Sequence, residues 1–157
     1  MNKLDDLVKE FIERNKEDAS LLDKLELKQK ELIVEQEEKT RQTAIKLMPV
    51  MQLIASMGYR FKGKDTDYMS SRGPILKHDL RANRLYIFSL ERKGPITVDL
   101  RDNEVKPITY RKLLEEVEFT QVMDSLLMTL QFNDDLIELY EKSNSELEAQ
   151  LKKFDDI

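Results

Sequence analysis

Between Met123 and Phe154 the chain reads MDSLLMTLQFNDDLIELYEKSNSELEAQLKKF, and the spacing of its apolar residues decides the fold. Met123, Leu126, Leu130, Asn133, Ile137, Tyr140, Asn144, Leu147, Leu151 and Phe154 follow one another at alternating intervals of three and four. A 3.5-residue period held over this length is the pattern of a helix that buries one seam against another helix. No Pro or Gly interrupts residues 108–157, and Thr109, just after Pro107, is a suitable N-cap. The spacing predicts a coiled-coil helix over 109–157.

The N-terminal third carries a weaker copy of the same repeat. Leu4, Val8, Phe11, Asn15, Asp18, Leu22, Leu25, Gln29, Leu32, Gln36, Lys39 and Thr43 keep the interval, but half of them are polar. A polar seam residue fixes register at a cost in stability. When the chain is folded back with Leu4 opposite Phe154, Phe11 meets Leu147, Asn15 meets Asn144 and Leu22 meets Ile137. Pro49 then lies level with Thr109, where a proline would disturb a helix. The expectation is a coiled-coil helix over 1–48 paired with the C-terminal helix as an antiparallel hairpin; pairing of the same helices between copies is the alternative. Because the first seam is under-filled, a second copy would bury more of it, which predicts a homodimer or higher homo-oligomer. The residues assigned to self-association are Leu22, Leu25, Leu32, Leu126, Leu130, Ile137, Tyr140, Leu147 and Leu151.

All four prolines and all four glycines fall between residues 49 and 107, so the middle is punctuated where the ends are not. Residues 47–57 are apolar on most sides and stop at Gly58, a natural C′ position. Tyr59 to Lys62 alternates, 63–73 reads as a polar loop, and strands follow at 75–80, 85–90 and 96–100 with short turns between them. Turns of about four residues imply an antiparallel meander. A sheet this small needs a cover, and residues 47–57 supply one. The fold class is therefore α+β and mostly helical, with a small antiparallel β head at 49–108 inserted between two stalk helices.

Composition narrows the chemistry. The 157 residues are 40% hydrophobic, 36% charged and 7% aromatic, with one histidine and no cysteine or tryptophan. Disulfides, thiolate metal sites and multi-histidine metal sites are excluded. No apolar run approaches the roughly 20 residues that cross a bilayer, and the N-terminus has no signal-peptide core, so a soluble, cytoplasmic protein without a membrane partner is expected.

The candidate chemical groups each have a plainer explanation. His78 lies between Lys77 and Asp79 on a strand, but neighbouring strand residues face opposite ways and no nucleophile is placed beside it. Glu104-Val105-Lys106 matches a fragment of a metal-dependent nuclease pattern that would need Asp79 or Asp99 on a neighbouring strand. The doublets Asp5-Asp6, Asp134-Asp135 and Asp155-Asp156 are adjacent helical positions that do not face each other. Asp65-Thr66-Asp67 lacks the rest of a calcium loop, and Ser70 to Pro74 lacks the phosphate-loop lysine. The reading assigns no catalytic residue, no metal ligand and no cofactor, and expects no enzyme.

Charge carries more information. Residues 58–112 hold 13 Lys and Arg against 7 Asp and Glu, a net of +6, while the rest of the chain carries −11. Arg60, Lys62, Arg81, Arg84, Arg92 and Lys93 are the candidate contacts to a partner or, as the alternative, to nucleic acid. Methionines at 48, 51, 57, 69, 123 and 128 concentrate where stalk should meet head, and such side chains adapt to irregular contacts. The functional expectation is a self-associating protein-interaction module (an adaptor, assembly factor or protein inhibitor) that recognises another protein through the head or its junction.

Overall fold

The computed structural model describes residues 2–157, which divide into two compact units, 2–39 and 40–157. The first unit is helix alone, the opening part of α1 (Lys3–Ser56). Asn2 Oδ1 accepts the Leu4 N–H at 2.9 Å, and Asp5 and Asp6 place negative charge at the positive end of the helix dipole. Every residue from Lys3 to Gln36 is exposed, twelve large apolar side chains among them.

The second unit holds the core. Its elements are the end of α1, β1 (Phe61–Lys62), β2 (Met69–Ser70), β3 (Ile75–Asp79), β4 (Arg84–Ser89), β5 (Gly94–Asp99), β6 (Val105–Pro107), α2 (Tyr110–Glu116), α3 (Phe119–Leu127), a 3-10 turn (Met128–Gln131) and α4 (Phe132–Lys152). The chain is α+β, as expected. Strands β3-β4-β5-β6 form an antiparallel meander, and β1-β2 is a separate two-stranded hairpin. One side of the meander presents Leu76, Tyr86 and Phe88 to Leu47, Met48, Met51 and Ile54 of α1 and to Leu113, Val117, Val122 and Leu126 of the later helices. The apolar stretch after Leu47 therefore covers the sheet. A second cluster of Ile75, Leu85, Ile87 and Ile96 forms beside it.

Four local expectations are corrected. Pro49 does not divide α1, which runs on to Ser56; its ring is exposed, while Met48 and Met51 on either side are buried and hold the helix through it. The helix expected over 109–157 is broken. Thr109 does cap α2, accepting the Lys112 N–H at 3.1 Å, but Val117 and Glu118 are extended and the 3-10 turn intervenes before α4. The cause is burial: Leu113, Val117, Val122 and Leu126 are at most 1% exposed against the sheet, so this stretch follows the sheet surface rather than a straight seam. The segment around Val105, outside the three strands expected from the sequence, pairs with β5, and the polar loop 63–73 contains β2.

The meander is built on a ten-residue repeat. Asp79, Ser89 and Asp99 end their strands; Leu80, Leu90 and Leu100 follow them; Asn83, Lys93 and Asn103 close each four-residue loop with φ of 52°, 56° and 61°. In every loop the first side chain accepts a backbone N–H further along: Asp79 from Arg81 and Ala82, Ser89 from Arg92, Asp99 from Arg101. Two close approaches fix the remaining backbone. Gly73 (φ +152°) passes so near β4 that a Cβ would stand 1.8 Å from the Phe88 carbonyl oxygen. At the free edge of β3 the Leu76 carbonyl accepts from Gln121 Nε2 and Ser125 Oγ, each at 3.2 Å.

Candidate functional site

Gly58, at φ +82°, ends α1 and turns the chain into β1. Alternation along that segment then buries Phe61 and leaves Arg60 and Lys62 exposed. Opposite them, the 3-10 turn redirects the backbone into α4. The two segments enclose a cleft of about 420 Å³. Tyr59 closes one end against Phe132, ring centroids 5.4 Å apart and tilted by 56°. The floor is apolar, with Phe61, Met69, Met128, Leu136 and Leu139. Three cations, Arg60, Lys62 and Lys64, stand on the β1 wall against one acid of α4, Asp135. Lys64 reaches Asp124 at 4.0 Å with both side chains more than half exposed, a weak pair. Ser125 and Thr129 spend their hydroxyls on the Leu76 and Leu126 carbonyls and are buried. The cleft is thus an oily groove with a cationic lip.

Two of the six basic residues singled out from the sequence, Arg60 and Lys62, lie on this lip. The other four do not join them. Arg81 and Arg84 sit at the β3–β4 loop, beside the β5–β6 loop through the Leu100 N–H to Asn83 carbonyl bond. Arg92 and Lys93 occupy the β4–β5 loop at the opposite end of β4, roughly 17 Å away for six strand residues. The hairpin reversal that makes the meander separates them. Met69 and Met128 line the cleft, whereas Met48 and Met51 are core.

The self-association residues also divide. Leu126 is buried in the core, because α3 packs on the sheet. Leu22, Leu25, Leu32, Leu130, Ile137, Tyr140, Leu147 and Leu151 are all between 45% and 71% exposed. No residue of α4 is buried. Sequence reading missed Tyr59, Phe132, Leu136 and Leu139 as a site. Phe132, Leu136 and Leu139 form a second stripe at intervals of four and three, one position ahead of Asn133, Ile137 and Tyr140.

The isolated chemical groups have structural occupations. His78 Nδ1 lies 3.0 Å from Thr66 Oγ1, and its ring meets Tyr68 edge-on at 5.0 Å. Asp99 is bound by both the side chain and the backbone of Arg101, which hold its carboxyl below the usual range. Glu104 and Lys106 face each other at 3.8 Å in solvent. Among the described residues no three His, Asp or Glu side chains converge on a metal position, and no helix is long and apolar enough to cross a membrane. Comparison with known proteins gives no match to any family model, curated protein or solved structure.

Proposed function

We propose that this chain is a non-catalytic interaction module that self-associates through its helices and takes a segment of protein chain into the cleft beside β1. The observation that carries this reading is the unburied apolar surface of α4 and of residues 4–34 in α1. Helices of this kind draw most of their stability from burying one face, and the apolar side chains of these faces are exposed. The spread of the cations favours this reading over nucleic-acid binding, which gains from one continuous basic surface. Adaptors, assembly factors and protein inhibitors are the classes of role that fit, in a cytoplasmic setting.

Sedimentation equilibrium and light scattering across a concentration series test the reading. The expected mass is a multiple of the 18.5 kDa chain at micromolar concentration. A mass of one chain up to several hundred micromolar overturns it. Salt-sensitive binding to oligonucleotides, lost on neutralising Arg81, Arg84, Arg92 and Lys93, would move the assignment to the nucleic-acid class.

A further inference from the structure

We infer that two copies pair antiparallel along α4, and that each inserts its Phe154-Asp155-Asp156 segment into the other's cleft. The inference rests on the self-association reading and names the occupant of the cleft. Its starting point is chemical fit. The cleft offers an apolar floor and the cationic lip of Arg60, Lys62 and Lys64. Phe154-Asp155-Asp156 offers an exposed aromatic ring followed by two exposed carboxylates. A chain's own segment cannot reach its own cleft, because α4 starts at the cleft and its 21 helical residues carry the far end roughly 30 Å away. The segment that fills the cleft therefore belongs to a second copy.

The register follows from α4 alone. With the two-fold axis between Ser143 and Asn144, Tyr140 stands opposite the partner's Leu147, and Leu151 lies level with the partner's Leu136 at the border between the seam and the cleft. The same register puts the partner's Phe154 level with Asn133 and one residue from Phe132, at the mouth of the cleft. One set of pairings thus covers Tyr140 and Leu147 of the exposed seam, leaves Ile137 level with the partner's Gln150, and delivers the segment to the site. Charge at the helix ends agrees: Asp134 and Asp135 lie level with the partner's Lys153 and Lys152. In the middle, Glu141 falls level with the partner's Glu146, a like-charge pair at the edge of the seam. The symmetry makes every contact occur twice.

Charge exchange in the full-length chain tests this, with dissociation constants from sedimentation and helicity checked by circular dichroism. D155K/D156K is expected to weaken association on the order of tenfold, as several exposed pairs lost together would. R60E/K62E should do the same, and the four substitutions combined should return the constant to within about threefold of the parent's, the residual reflecting context. E146K should tighten association. In this cysteine-free chain, Asn144→Cys should give a disulfide-linked dimer on mild oxidation, while Phe11→Cys serves as the contrast. An assembled protein whose association ignores both charge reversals, or whose combined variant is weaker than either, overturns this pairing while self-association stands. A parent that stays monomeric overturns both.

Discussion

Tyr86 Oη donates to Glu116 Oε2 at 2.5 Å, joining the middle of the sheet to the last turn of α2 across thirty residues of sequence. Burial, reinforced by that carboxylate, pushes the tyrosine up from 10.0 to about 12. The hydrogen bond from Tyr86 and the ion pair with Lys112 at 3.3 Å hold Glu116 below its ordinary value. The folded state therefore binds the tyrosine proton more tightly than the unfolded state. Stability from this group is complete below pH 10 and declines between pH 10 and about 12, by about 2–3 kcal/mol in all. Urea midpoints of the parent should fall more steeply over this range than those of Tyr86→Phe. Glu116 acts at the other limb: its contribution is present above pH 4.5 and lost as pH drops through its lowered folded value, so Glu116→Gln should flatten the acid side.

Gly73→Ala should cost on the order of 3 kcal/mol, because a methyl group would meet the Phe88 carbonyl in a backbone region that side chains avoid. Gly58 has φ +82° but open space around it, so Gly58→Ala should cost only about 1–2 kcal/mol. Chemical denaturation of the two variants side by side separates crowding from backbone preference.

Lys93 closes its loop in the left-handed conformation that Asn83 and Asn103 tolerate better. Lys93→Gly should raise stability, by up to about 1 kcal/mol, whereas Asn83→Gly should change it by only a few tenths. Asp79→Ala removes the acceptor for two backbone N–H groups and should cost about 1 kcal/mol. Thermal midpoints check all three.

Leu126 and Leu130 look equivalent in the heptad pattern and differ in the fold, at 1% and 58% exposed. Leu126→Ala should cost about 2–5 kcal/mol, and Leu130→Ala less than about 0.5 kcal/mol when measured on the monomer. Equal losses at the two sites would contradict the packing of α3 against the sheet.

That pair also marks how far the sequence can be read. The meander, the Gly58 stop, the Thr109 cap and the cover formed by residues 47–57 were legible, because each depends on chemistry within a few residues. The breaks at Val117 and at Met128 were not. A 3.5-residue spacing records that a stripe is buried but not by what, and residues 113–126 bury theirs on a sheet assembled from positions roughly thirty to fifty places earlier. Part of the candidate site, Arg60, Lys62, Met69 and Met128, was visible as charge or as methionine clustering. Tyr59, Phe132, Leu136 and Leu139 became a site only through the turn that sets α4 across β1. The ten-residue loop repeat was present in the sequence and is visible once Asp79, Ser89 and Asp99 are aligned.

Strand β3 has its outward Leu76 carbonyl already held by Gln121 and Ser125, and β6 at the other margin is three residues long and ends in Pro107. Neither border offers the run of open amides and carbonyls that a foreign strand needs as a template. Addition of a foreign strand to this four-stranded sheet is thereby disfavoured at both margins.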